Sequence, residues 1–292
     1  MTPFESLVKL LSENSPGTYM VCEMADDSCR EEMLRPGQGA HNIYSISKSI
    51  TGCAVGILKE ENKLSDEDNV YDVIDHLFPE KLDKRWKDVK LKHVMTHHTG
   101  VPYEANIDID VMDFRKDGHE DFLSFFLSQP IVFEPGNGPL VYCDTNYYLI
   151  ARIVEEVTGM TCAEFLQEKM FNPLGWIGNA WGTCPYNHTL GGTGLFVRGR
   201  DLAAYGKMLA NGGVFSGKRI LSEKWIETAR GEKGCYGYGF TNSSDGRWFM
   251  AGGMLGQAVY VFPETKCAVS ILGHEVPLDL VVKEIVPLYL ES

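Results

Sequence analysis

Segments rich in β-forming residues stand at the two ends of this chain, and helix-patterned segments fill the stretch between them. Any sheet must therefore join residues from distant parts of the sequence. Near the start, TYMVCEM (18–24) alternates as a strand does, and the polar run ADDSCREEM turns the chain back into a hairpin. Near the end, RWFMAGG (247–253), QAVYVFP (257–263) and KCAVSILG (266–273) read as strands. The interior supplies the helical segments DVKLKHVMTHHTG, EDFLSFFLSQ, TNYYLIARIVEEVTG and TCAEFLQEKMFNPLG, with Gly159 and Gly175 stopping two of them where a left-handed residue is needed. RDLAAYGKMLANGG and SEKWIETAR add two helices, the opening MTPFESLVKLLSENSPG predicts a first one, and LDLVVKEIVPLYL a last one despite Pro287. The expected class is α/β in the α+β sense: one antiparallel sheet flanked by helices, with a mostly helical lobe inserted. Residues 1–292 are expected to form a single domain, with an α/β lobe (about 1–60 and 190–292) and a helical lobe (about 61–189).

Acidic residues outnumber basic ones by 40 to 27, a formal net charge of −13. Such a surface repels phosphate backbones and anionic membranes, so neither nucleic acid nor a membrane is an expected partner. The opening segment has Lys9 among its apolar positions and lacks both a basic leader and a long apolar run, and no later stretch approaches the roughly 18 apolar residues of a membrane span. A soluble, cytoplasmic protein is the expectation. Eight cysteines are scattered without a C-x-x-C pair, which speaks against a structural zinc or a thioredoxin-type site. In that compartment most are expected as reduced thiols, Cys22 and Cys29 being the pair that can bridge the hairpin.

The sharpest chemical feature is Ser45-Ile46-Ser47-Lys48, at the point where Ile50, Cys53, Ala54, Ile57 and Leu58 begin to recur at helical spacing. A separation of three puts the hydroxyl and the amine on one helical face. Burial and the positive end of a helix lower a lysine pKa, and a neutral lysine can take the serine proton as it attacks a carbonyl. The same four residues also describe a surface serine beside a solvated lysine, so the motif alone decides nothing.

Its surroundings do more. YSISKSITG resembles the nucleophile motif of the serine β-lactamase and penicillin-binding-protein superfamily, in particular class C β-lactamases, D-stereospecific carboxypeptidases, esterases and 6-aminohexanoate-dimer hydrolases. The similarity continues in order through KLSDEDNVYDVI, VMTHHTGVP, FEPGNGPLVYCDTNYYLIARIVEEVTG, FNPLGW, GGTGLFVRGRDLAAYGKMLANGGVFSGKRIL, YGYGF and GGMLGQAVYVFPE, roughly residues 40 to 265. The resemblance implies a β-lactamase/transpeptidase-like fold and an acyl-enzyme on Ser45, with Lys48 and Tyr142 managing the proton. It implies no metal or organic cofactor.

The family element Tyr-x-Asn falls on Tyr142-Cys143-Asp144, so the tyrosine matches and the asparagine does not. Asp144 keeps an acceptor oxygen, loses the amide donor and adds a charge that raises the Lys48 pKa, which shifts the base role toward Tyr142. The third element, Lys-Thr-Gly or His-x-Gly on a strand, aligns with Ala251-Gly252-Gly253, without its cation. In the family that cation helps to hold a substrate carboxylate. Small residues still let a substrate backbone lie along the strand, and the backbone N–H groups of Ser45 and Met254 can form an oxyanion hole. Asp144, Ala251, Gly252, Gly253 and Met254 are thus the expected substrate-binding positions.

His93, His97 and His98 lack the H-E-x-x-H form of a zinc helix, and His97 and His98 are read as structural or supporting groups. The run SDEDN has neither the glycine nor the spacing of a calcium loop. Trp181, Tyr236, Tyr238 and Trp248 fit a cleft lining and a core equally well. Residues 101–120 and 231–247 are polar, glycine-containing and expected as loops able to move. The leading expectation is a serine hydrolase acting on a small ester, a short peptide or a linear amide. The alternatives are a binding or sensor protein of the same fold that turns nothing over, and a D-Ala-D-Ala-type carboxypeptidase.

Overall fold

The computed structural model describes residues 1–26, 28–36, 39–78, 82–102 and 122–291. They form two compact units, one of Met1–Ile46, Met170–Ala180 and Leu195–Ser292, the other of Ser47–Lys169 and Trp181–Gly194.

The first unit is built on a six-stranded antiparallel sheet from both ends of the chain. Its strands are β1 (Thr18–Ala25), β2 (Ser28–Met33), β3 (Thr241–Asn242), β4 (Phe249–Gly253), β5 (Gln257–Phe262) and β6 (Cys267–Gly273). The spatial order is β2-β1-β6-β5-β4-β3. Every residue of β5 and β6 is buried, which suits strands in the middle of a sheet, whereas polar β2 lies exposed at the edge. One face of the sheet, through Val21, Tyr260, Val269 and Ile271, packs on Leu7 and Leu11 of the helix Pro3–Asn14 and on Val281 and Ile285 near the C-terminus. Each fully buried aliphatic side chain of this kind is worth about 1.5–3 kcal/mol relative to exposure. Thr2 and Glu5 form a reciprocal capping box at the start of that first helix. On the other face lies the helix Gly199–Ala210, whose first carbonyl accepts the Ser270 hydroxyl at 2.7 Å. Pro287 does interrupt the last helical segment, which divides into Leu278–Glu284 and Val286–Leu290.

The second unit is helical. Its helix Asp144–Thr158 is buried along its first eleven residues and is packed by the helices Val70–Ile74, Leu91–Met95 and Phe122–Ser128. Gly159, at φ +70°, ends it as expected. Aromatic contacts fill the spaces between: Trp86 meets the edge of Phe126 at 5.6 Å, and the Tyr147 hydroxyl donates to the Met95 carbonyl at 2.8 Å. The segment DVKLKHVMTHHTG is helical only over Leu91–Met95, because the backbone turns left-handed at His97, φ +60°. Likewise, TCAEFLQEKMFNPLG is not one helix: Cys162–Leu166 is followed by a π-helical turn at Gln167–Phe171 and a short helix ending at Gly175. Of the segment 101–120, residues 103–120 lie outside the described residues. Among the described residues no helix is long and apolar enough to cross a membrane.

Candidate active site

Ser45 sits half-buried in a tight turn just ahead of the helix Ile46–Glu60. In that turn the Tyr44 N–H donates to Asn42 Oδ1 at 2.9 Å and the Ile46 N–H to the Ile43 carbonyl at 3.1 Å. Tyr44 takes a left-handed φ of +47°, a conformation that costs a bulky residue about 1–3 kcal/mol. Asn42 is anchored by pairing of the two-residue strand His41–Asn42 with Leu195–Val197. Within the same unit, β4 runs up to this turn. A β-carbon on Gly253 would lie 2.3 Å from the Ile43 carbonyl oxygen, so only glycine lets the strand reach the chain two residues before Ser45. Ala251 is buried opposite Val259, Gly252 is exposed, and Gly253 and Met254 are half-buried. β5 pairs with one edge of residues 251–253, and no strand among the described residues pairs with the other.

Lys48, in the first turn of the helix Ile46–Glu60, is fully buried in the second unit. Its ammonium forms an ion pair with the Asp144 carboxylate and donates to the Gly192 carbonyl at 2.9 Å. Asp144 is the first residue of its helix, where the N-terminal dipole favours a carboxylate. Gly192 comes close because it lacks a side chain, for a β-carbon there would stand 2.7 Å from the Asp144 carbonyl oxygen. Next to it, the Gly191 carbonyl accepts the Thr51 hydroxyl at 2.7 Å, one turn along from Lys48. The Tyr142 ring completes the surroundings, its centroid 4.7 Å from the Lys48 nitrogen. Burial alone pulls the Lys48 pKa down, but the Asp144 carboxylate and Tyr142 outweigh it and hold the ammonium above the ordinary lysine value. Lys48 is therefore a charged group at neutral pH.

Beneath Tyr142 lies His97, fully buried, with ring centroids 4.4 Å apart. Its Nδ1 accepts the Cys143 N–H at 3.3 Å and stands 2.9 Å from the Asn146 amide nitrogen. His93 takes a separate partner, the Lys90 N–H at 3.2 Å, so the two histidines serve the backbone at different places. Burial first, and the Lys48 charge second, keep the His97 pKa well below the ordinary histidine range.

The model of the family described as Beta-lactamase matches residues 36–281. The chain belongs to the beta-lactamase family. Its relatives carry hydrolase, esterase and penicillin-binding names. A 6-aminohexanoate-dimer hydrolase of Paenarthrobacter ureafaciens is 27% identical over 202 residues, 64% of this chain and 50% of the relative. Penicillin-binding protein 4* of Bacillus subtilis (strain 168) is 30% identical over 138 residues, 46% of this chain and 28% of the relative. These matches span half or less of the curated relatives' own length. An octameric penicillin-binding protein homologue from Pyrococcus abyssi has a TM-score of 0.76 at 21% identity, covering 99% of this chain and 77% of that one. A family VIII carboxylesterase has a TM-score of 0.74 at 15% identity, covering 98% and 96%. These likenesses establish the β-lactamase/transpeptidase-like fold that the sequence predicts, and the α+β architecture agrees with it.

Within this beta-lactamase family chain the second unit brings together Lys48, Tyr142 and Asp144, and the first brings Gly253 to the turn that carries Ser45. Two contributors escaped the sequence reading: the Gly192 carbonyl, hidden because its role belongs to the backbone, and the grip of His97 on the residues beside Tyr142. Of the four aromatics that fit a cleft or a core, Tyr238 packs on Trp225 and Trp248 on Tyr260, and both join the interior of the first unit.

Proposed function

We propose that the protein is a serine hydrolase that forms an acyl-enzyme on Ser45. The observation that carries this reading is the surroundings of Lys48: a buried ammonium, paired with Asp144 and lying against the Tyr142 ring, on the same helical turn that Ser45 precedes. A lysine held in its charged form is a poor base and a good electrostatic support. Tyr142, whose ring lies against that ammonium, is then the proton carrier. Ser45 Oγ attacks the carbonyl carbon and its proton passes to the Tyr142 oxygen. The tetrahedral oxyanion is met by the backbone N–H groups of Ser45 and Met254. Tyr142 returns the proton to the departing alcohol or amine, and a water activated by the same oxygen releases the acid.

The substrate reading follows from what the third element lacks. Ala251 offers no cation for a substrate carboxylate, which favours a small ester, a short peptide or a linear amide over a D-Ala-D-Ala terminus. The open edge at 251–253 suits an extended substrate whose own amides complete the pairing. No nucleic acid, membrane, metal or organic cofactor enters the reaction.

The test is intact-mass spectrometry after incubation with a fluorophosphonate and with a panel of activated esters, a D-alanyl ester, a 6-aminohexanoate dimer and β-lactams. One adduct on Ser45, absent from Ser45→Ala, supports the hydrolase, and the fastest panel member names the substrate class. No adduct on folded protein favours the second reading, a binding or sensor protein. The Lys48–Asp144 pair also suits that reading, because it spends the lysine on a structural contact. Its mark is a panel ligand that binds wild type and Ser45→Ala equally well.

A further inference from the structure

His97 holds the chain on both sides of one residue. Its carbonyl accepts the Val141 N–H at 2.9 Å, and its Nδ1 accepts the Cys143 N–H at 3.3 Å. The N–H groups of the residues before and after Tyr142 are thus tied to one histidine, the first to its backbone and the second to its side chain. The imidazole also lies against the Tyr142 ring, centroids 4.4 Å apart and planes inclined at 35°. It also meets the Tyr147 ring at 5.6 Å, and that tyrosine is fixed through the Met95 carbonyl. Tyr142 itself is 38% exposed, and its ring also meets the Lys48 ammonium, 4.7 Å from the centroid.

We propose that His97 is the positioning residue of this site, fixing the Tyr142 phenol by gripping the backbone at 141 and 143 and by backing its ring. The inference rests on the reading of Tyr142 as proton carrier. Two donors converge on Nδ1, so that nitrogen bears no proton, and the tautomer is the one protonated at Nε2. Burial keeps the ring neutral, so it backs Tyr142 without adding a second cation near Lys48. The left-handed backbone at His97 brings its carbonyl and its ring to the same stretch of chain, and such a conformation persists where it is held by its surroundings.

Two variants separate the parts of this role. Asparagine places Oδ1 where Nδ1 stood and tolerates a left-handed φ, so His97→Asn keeps the grip on Cys143 and loses the ring; His97→Ala loses both. The first readout is the rate and final extent of fluorophosphonate labelling at Ser45. His97→Ala should label every molecule but about 10–100-fold more slowly, the cost of a misplaced catalytic group, and His97→Asn should recover most of the rate. A purely structural role would lower the final extent instead. The second readout needs no activity: 3-fluorotyrosine NMR, with the Tyr142 line assigned from Tyr142→Phe. The line should be single and sharp in wild type, shifted and broadened in His97→Ala, and sharpened again in His97→Asn. An unchanged Tyr142 line in His97→Ala, or wild-type labelling kinetics, overturns the proposal. If wild type itself never labels, the function proposed for Ser45 fails, while the NMR lines still decide what His97 does.

Discussion

Lys48 and Asp144 form an ion pair with almost no water around it, the ammonium fully buried and the carboxylate 5% exposed. Removing one partner of such a pair leaves a buried charge uncompensated, which typically costs about 3–5 kcal/mol. Asp144→Asn is therefore expected to lower the urea midpoint at pH 7 markedly. Its pH dependence should also change sign. In wild type the folded Lys48 pKa lies above the unfolded value of about 10.4, so the pair's contribution is complete below that pH and fades as pH rises through the folded value. In Asp144→Asn the strongest opposition to burial is gone and only Tyr142 still counters it, so the folded pKa should fall below the unfolded one. The unfolded chain then binds more protons, and stability rises with pH up to about 10.4. Unfolding curves between pH 7 and 11 check this; parallel slopes for the two proteins would refute it.

Tyr142→Phe removes one hydroxyl from a ring that is partly in solvent. Stability should fall by about 0.5–1.5 kcal/mol, the worth of one hydrogen bond, because the phenol helps to hold Lys48 charged. The acylation rate at Ser45 should fall by about 10²–10⁴-fold, the usual worth of a positioned proton carrier. Stopped-flow acylation and a thermal melt on the same samples separate the two effects. A rate within threefold of wild type, with ~threefold set well inside that range, removes Tyr142 from the proton path.

Gly192→Ala forces a β-carbon to within 2.7 Å of the Asp144 carbonyl oxygen, so the turn that offers its carbonyl to Lys48 must move. Overpacking of this kind costs about 1–3 kcal/mol and should slow acylation as well. Gly159→Ala is the control: it has the left-handed φ of +70° but open space around it, so it should lose about 1 kcal/mol with no effect on acylation.

The Sγ atoms of Cys22 and Cys29 are 3.4 Å apart, unbonded, on neighbouring strands of the hairpin. Burial holds the Cys22 thiol above the ordinary thiol range, so brief alkylation at pH 7.5 should modify half-buried Cys29 and exposed Cys235 before Cys22. On unalkylated protein, diamide should join Cys22 to Cys29, taking up the two thiol hydrogens itself, as seen by peptide mapping. A different pairing, or none, contradicts the geometry.

The sequence displayed what repeats and what is covalently close. The alternation of TYMVCEM and the apolar runs 257–263 and 266–273 predict strands that the sheet contains, and the three-residue spacing of Ser45 and Lys48 marks a helix start. It also flagged Asp144 as a charge that raises the lysine pKa, the direction found here. What it could not display is held by the backbone at long range. His97 acts through its Nδ1 and its carbonyl on residues 46 and 44 positions further along, and its left-handed turn also shortens the helix expected there. Gly192 contributes a carbonyl, which any residue owns, and only its lack of a side chain admits it to the site.

The strand completed last in the sequence is not last in space: β6 lies between β1 and β5, near the middle of the sheet. A chain made from its N-terminus thus holds β1 and its hairpin in waiting until Cys267–Gly273 has been added. The turn before Ser45 shares this delay, because the strand that reaches Ile43 is laid down with the same closing hairpin. A nascent or C-terminally trimmed chain consequently holds Ser45 without the strand that reaches its turn, and that turn gains its neighbour only in the finished molecule.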